Sequence, residues 1–242
     1  MTIEFLPCGD SALSVQFGFD VSRESTDRVL RFRAAVEQWG PEGISETVPT
    51  YRALMVHYDP MRIRQADLIS RLEPLLDAQP EISTAAKAWR LPVCYDGDFA
   101  WDLEDVAKTV GLSPDEVVTM HTAHEFSVYM VGFMLGFLHM GDLPEIMTVL
   151  SRRPEPRLRL ERGAVVTAMG LTVVHNISTP GGWHVLGRTP ASLFDVRWER
   201  PALVSPGDTV RCVPISRQEF QDIRQRADAG TYIPDFEEIG PS

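Results

Sequence analysis

The stretch Ser178-Thr179-Pro180-Gly181-Gly182-Trp183-His184-Val185-Leu186-Gly187-Arg188-Thr189-Pro190 reads as a turn, a strand and a second turn. The same rhythm continues on both sides of it. Gly163, Gly170, Pro201 and Pro206-Gly207-Asp208 punctuate the chain from residue 156 onward. Short strands at such spacing predict a barrel or sandwich. In the Gly181-Gly182 turn, backbone N–H groups can face an anion, and Arg188 can grip a carboxylate or phosphate. The alternative for Arg188 is an ordinary strand-end salt bridge.

Upstream, the pattern changes. Phe126 to Phe133 alternates like a strand, and Trp89 to Tyr95 reads as another. Between them lie a short helix, Leu103 to Val110, and a second one opened by Ser113-Pro114-Asp115-Glu116 and running to about Ala123. Ser113 as N-cap with Glu116 at the third position is a capping box, and Pro114 suits the first helical position. Gln79 to Ala86 reads as a connector. Before it, strands are expected at Ile3–Leu6, Ala12–Phe17, Ile44–Val48 and Tyr51–Tyr58, with helices over 22–39 and 63–78. Pro74 weakens or kinks the second of these helices. The tail, from about Arg226, reads as surface-draped or loosely ordered. The domains are therefore expected at 1–82 and 83–242.

The composition narrows the function classes. The 242 residues are 44% apolar and carry a net charge of −11, which fits a globular protein and opposes a phosphate backbone. The only lysines are Lys87 and Lys108, so no P-loop is present. The arginines of the 152–162 stretch have no aromatic platform beside them, so no nucleic-acid partner is expected. No apolar run approaches membrane-spanning length, and no membrane partner is expected. Cys8, Cys94 and Cys212 are odd in number and far apart, which favours a reducing cytoplasm and makes no metal pattern.

Two segments hold chemistry-bearing residues in unusual settings. His121 and His124 are three apart at a helix C-terminus, which puts both imidazoles on one side. Interaction with the helix carbonyls, ligand binding or catalysis, and metal binding are the three readings. Gly132 to Asp142 interrupts apolar residues with three glycines. It is either a buried strand bent at bulges or a loop folding over a ligand with His139 at its tip.

Five segments together resemble one family. They are Gly9–Gly18, Pro49–Pro60, Leu91–Phe99, the passage from His121 through the Gly132–Gly136 glycines, and Ser178–Thr189. In this order they are similar to the allophanate hydrolase subunit 1 group, over residues 3–220. That group also goes by the names of the B-type 5-oxoprolinase component and the kinase A inhibitor. The resemblance implies an α+β protein, a small α/β N-terminal domain followed by a cyclophilin-like β-barrel. It implies one component of an ATP-dependent amide- or lactam-opening hydrolase with a 5-oxoproline-like or urea-like substrate. The implied partners are a C-type component, of the allophanate hydrolase subunit 2 kind, and an A-type component. ATP with Mg2+ is expected for the assembled complex. Two other functions are open: a regulatory binding protein of the histidine-kinase-inhibitor type, and a carboxyltransferase component of a biotin-dependent carboxylase.

The match departs from the family at Leu135, where a proline is usual, and at Phe126, His139, Leu171 and His175. Of the family's Gly-Gln-Thr-Gly segment only Gly170 and Thr172 remain, and Leu171 removes an amide. The new imidazoles are expected to titrate near neutrality. These changes point to an altered substrate or to a partner that supplies the chemistry. The residues expected at the cleft are His121, His139 and His175 for proton transfer or hydrogen bonding, with Thr172, Gly181, Gly182 and Arg188 holding the substrate.

Overall fold

The computed structural model describes residues 2–78, 80 and 86–240. They fall into two compact units, one before Ala86 and one from Ala86 to Ile239. Most of the expected connector lies outside the described residues.

The first unit is a four-stranded antiparallel sheet with two helices. Its strands are β1 (Ile3–Pro7), β2 (Ala12–Phe17), β3 (Ile44–Pro49) and β4 (Ala53–Tyr58), in the order β1-β2-β4-β3. Helix α1 (Arg23–Trp39) begins at Ser22, whose side chain accepts from the Ser25 backbone, and ends at a left-handed Gly40. Its Val29, Phe32 and Val36 are buried against the sheet residues Leu13, Val15 and Leu54. Each such burial contributes roughly 1.5–3 kcal/mol, against about 1 kcal/mol for the cap, so packing holds this helix. Helix α2 (Gln65–Leu72) is shorter than expected. Pro74 lacks the N–H that would continue it, and residues Glu73–Leu75 tighten into a 3-10 turn.

The second unit carries the larger sheet. Its members are β5 (Ala86–Val93), β6 (Glu125–Val131), β7 (Leu138–Gly141), β9 (Ala164–Ala168), β10 (Leu171–Val174), β12 (His184–Arg188), β13 (Thr209–Pro214) and β14 (Phe236–Ile239), with β8 (Arg157–Leu160) and β11 (Thr179–Gly181) pairing apart. The order is β12-β9-β10-β7-β6-β13-β5-β14, antiparallel except for β13 beside β5. The ladders alone describe an open sheet rather than a closed barrel. One antiparallel bridge, between Cys94 and Arg188, ties the end of β5 to β12 and joins the sheet to itself. The main core lies on one face, built from Leu91, Phe126, Leu138, Met140, Val165 and Val174.

Helices α3 (Leu103–Val110) and α4 (Pro114–Ala123) form where expected, α4 with its full capping box. The tail differs from expectation. Helix α5 (Arg217–Asp228) opens with a second capping box, Ser216 with Glu219. After it β14 pairs with β5 from Phe236 opposite Trp89 to Ile239 opposite Ala86. The ladder hydrogen bonds and the Phe236 ring, 4.8 Å from that of Trp89, fix a segment whose side chains are exposed.

Candidate functional site

His139 lies within β7, opposite Val173 of β10. It is therefore not at a loop tip. Period-two alternation sends Leu138 and Met140 into the main core and His139 to the other face. There it meets the second apolar cluster, which contains Phe137, Leu160, Val166 and Val173. His175 follows β10 on the same face. Its ring stacks on Phe137 at 4.4 Å, and its Nδ1 lies 3.2 Å from the Thr179 hydroxyl. His139 Nε2 lies 3.3 Å from the Gly132 carbonyl. A carbonyl only accepts, so Nε2 carries the proton in that bond.

Both imidazoles are held to about 4 by burial, and His139 also lowers His175 through its charge. The expectation of titration near neutrality is therefore corrected. Burial penalises the imidazolium and favours the neutral ring. The pair offers neutral donors and acceptors rather than a poised acid and base.

His121 stands elsewhere. It is 3% exposed in the last turn of α4, with Nδ1 2.8 Å from the Tyr95 hydroxyl and its ring against Phe126. Burial first, and His124 second, lower it to about 4. A neutral ring bonded to Tyr95 does not serve the helix carbonyls as a cation, which corrects that reading. His124 does share its side, also against Phe126. Among the described residues no group of three or more His, Cys, Asp or Glu is placed to hold a metal ion. The Tyr95 and Phe126 contacts of His121 do not extend to His139 or His175, so the three histidines form two places.

The four binding candidates also separate. Thr172 is fully buried on the core side of β10, and its hydroxyl has no hydrogen-bond partner among the described residues. Gly181 lies by the histidine pair: a Cβ there would meet the Leu160 side chain at 2.5 Å and sit 3.7 Å from His175 Cε1. The Gly182 carbonyl accepts from the Arg153 backbone at 2.7 Å. Arg188 is at the far end of β12, four residues or about 13 Å along an extended strand from His184. The Gly-Gly turn and Arg188 therefore do not close on one small anion. The Arg188 guanidinium stands over Phe99 (5.4 Å) and Trp101 (6.0 Å), and its buried Nε has no hydrogen-bond partner. Among the described residues it makes no ion pair, so the salt-bridge reading does not hold.

Sequence reasoning missed Asp102. This carboxylate is 1% exposed, accepts two bonds of 2.7 Å from Arg157, and also accepts from Arg153. The Val185 backbone donates to it at 2.7 Å. The arginines outweigh burial and hold the carboxyl below its usual range. Asp102 thereby anchors the start of β12, and through Arg153 the Gly182 turn. A lone Asp before a helix carries no signal of this in the sequence. It also disperses the basic stretch: Arg153 and Arg157 go to Asp102, Arg159 to Glu161, and Arg162 to Asp228.

A cleft of about 330 Å3 opens one residue beyond His175. It is lined by Leu135, Ile177 and Phe194 on its apolar side, by Asn176, and by Arg162 and Arg197 together with Asp228 and Asp195, the carboxylates that they pair with. The Asn176 amide is already used, donating to Phe194 O and accepting from Leu193 N. The neighbouring loop exposes Phe133 and Leu135, with Phe133 in the left-handed region at φ 69°.

The chain belongs to the family described as the carboxyltransferase domain, subdomains C and D, which matches residues 3–204. It is 33% identical over 233 residues to the B subunit of 5-oxoprolinase from Bacillus subtilis, covering 90% of this chain and 95% of that one. It is 33% identical over 206 residues to the protein of the same name in Escherichia coli O157:H7, covering 85% and 93%. These relatives agree with the resemblance carried by the five motifs. Among solved structures, TTHA0988 matches with TM-score 0.74 and 33% identity over 85% of this chain and 40% of its own. The urea amidolyase of K. lactis matches with TM-score 0.80 at 21% identity, which shows the fold. This chain covers 16% of that enzyme. Among the described residues no helix is long and apolar enough to cross a membrane.

Proposed function

We propose that this chain is one component of an ATP-dependent hydrolase that opens an amide or lactam in the cytoplasm. Its partners in this reading are a C-type component, of the allophanate hydrolase subunit 2 kind, and an A-type component. The observation that carries this reading is the near full-length identity to proteins named as the B subunit of 5-oxoprolinase. The substrate is 5-oxoproline-like or urea-like. The histidine pair suits such a group, because neutral imidazoles hydrogen-bond an uncharged amide without the cost of a buried charge. A cleft of about 330 Å3, lined by Asn176 and Ile177 next in the chain after His175 and not by the histidines themselves, has the volume of a small-molecule site. In this reading Arg188 holds an anionic group apart from the amide.

The chain's residues do not fit ATP with Mg2+. The phosphate loop is missing from the sequence, and the described carboxylates and histidines form no group suited to a cation. In this reading the nucleotide is held by the other components, and this chain contributes amide contacts. A carboxyltransferase role is the second reading, favoured by the description of the matching family; transfer from carboxybiotin to a urea-like acceptor tests it.

The test of the main reading is affinity purification of the tagged chain from its own cells, followed by mass spectrometry and ATP-dependent lactam assays of what co-purifies. A stoichiometric C-type partner and lactam-dependent ATP hydrolysis are expected. Recovery of a histidine kinase alone, or of the bare chain, overturns it.

A further inference from the structure

Helix α5 lies beyond the residues that the family matches, yet it faces the arginine corner. Arg217, Phe220 and Arg224 share one face of it, at spacings of three and seven. Phe220 is buried, and its ring lies 4.5 Å from that of Phe99. That contact sets Arg217 over Phe99 at 5.0 Å, the ring that the Arg188 guanidinium also approaches, at 5.4 Å. Arg224 stands over Phe220 and donates to the carbonyl of Thr189, the residue after Arg188. Gly163 leaves this room: its φ is +85°, and a Cβ there would strike the Thr189 carbonyl and approach Arg224 to 3.1 Å.

The charges gathered here are only partly answered. Among the described residues Arg188 and Arg224 make no direct ion pair, although Glu161 attracts Arg188 and Asp228 attracts Arg224 from farther off, and Arg217 has a 3.4 Å contact with the exposed Asp98. The nearby carboxylates Asp102, Glu161 and Asp228 are taken by Arg153 and Arg157, by Arg159 and by Arg162. In a chain of net charge −11, guanidinium groups massed on aromatic rings are an exception that needs a counter-charge. Burial, and then the neighbouring Arg162, lower Arg224 to about 10; the Asp228 charge opposes this and Arg188 adds to it.

We propose that Arg188, Arg217 and Arg224, arranged around the adjoining Phe99 and Phe220 rings, form a binding site for the carboxylate or phosphate group of a small ligand. Guanidinium forks match the paired oxygens of either group, and their high intrinsic pKa keeps them charged against the aromatic faces. The inference rests on the reading of Arg188 as an anion-holding residue and extends it to a helix outside the matched family region.

Calorimetric titration of the full chain with inorganic phosphate, and separately with glutarate, tests it at low ionic strength. Saturable binding at one site is expected. An Arg217→Gln, Arg224→Gln double variant should weaken it at least tenfold, and an Arg159→Gln control should leave it unchanged. Arg188→Lys, which keeps the charge but loses the fork, should weaken it to a lesser degree and guards against misfolding of the double variant; near-UV circular dichroism checks both. Binding of phosphate alone, or of glutarate alone, supports the site and identifies the group. Failure of both probes to bind, or undiminished affinity in the folded variants, overturns it. The readout needs neither partner nor turnover, so it can fail while the hydrolase reading stands, and the reverse.

Discussion

The histidine pair and the arginine corner both hang on the start of β9, yet they treat charge in opposite ways. The Ala164 carbonyl accepts from the His175 backbone, and Ala164 is also the register partner of Arg188. On one side, burial strips the proton from His139 and His175. On the other, guanidinium groups keep theirs, because their intrinsic pKa lies too far above neutrality for partial burial to remove it. They are accommodated by aromatic rings and, for Arg153 and Arg157, by Asp102. Side-chain chemistry thus decides what burial does. An imidazole becomes a neutral hydrogen-bonding group, whereas a guanidinium remains a charge that seeks an anion.

The largest expected effect breaks the comparison through pH. His121, His139 and His175 are held at about 4 when folded, below the 6.5 of an unperturbed imidazole. Unfolding lets each take up a proton more readily. Stability is therefore full above about pH 6.5 and falls as the pH drops towards 4, losing roughly 3 kcal/mol for each imidazole. Urea unfolding at pH 7, 5.5 and 4.5 measures this. A His139→Phe, His175→Phe variant should lose less, and an identical decline in both proteins would show that these rings are not the buried neutral groups described.

Next in size is Asp102→Asn. It leaves Arg153 and Arg157 without their buried counter-charge, at a cost of about 3 kcal/mol. Thermal unfolding should show the loss, and restored stability on adding phosphate would sharpen the arginine contrast. A smaller effect is expected at His175 in the assembled complex. His175→Phe should cut turnover about tenfold, or ~1.4 kcal/mol in the barrier, while His175→Gln, a neutral donor and acceptor, should retain more of it. Equal loss in the two would mean that the imidazole does more than hydrogen-bond. The smallest is Phe99→Leu, which removes the ring beneath Arg188 and Arg217 and should cost about 1 kcal/mol in stability.

Much of the fold was legible because local signals were strong. Ser22 and Gly40 bound α1, and Ser113 with Glu116 opens α4 where the capping box predicts. The same Ser-x-x-Glu spacing at Ser216–Glu219 opens α5, and it went unread because only Phe220 and Ala227 of that helix are buried. An apolar stripe that thin gives almost no periodicity to detect. The strand β14 was hidden for a related reason: its side chains are exposed, and its stability comes from backbone pairing to β5, which is non-local.

The candidate site was legible as residues but not as places. Motif order pointed to the histidines, Thr172, the Gly-Gly turn and Arg188. Alternation along β7 and β10 then sent His139 to one face and Thr172 to the other. Strand length parted Gly182 from Arg188.

The sequence by itself determined what short-range physics encodes: capped helices, turn-bounded strands, the change of pattern between the two units, and family membership through five ordered motifs. Only the tertiary structure decided which of those residues meet. It paired His139 with His175, gave His121 to Tyr95, spent the basic stretch on Asp102 and other carboxylates, and carried α5 to Arg188. The reason is physical. Caps and turns act within a few residues, whereas burial, proton loss and charge pairing depend on contacts between residues dozens of positions apart, fixed only when the sheet is joined.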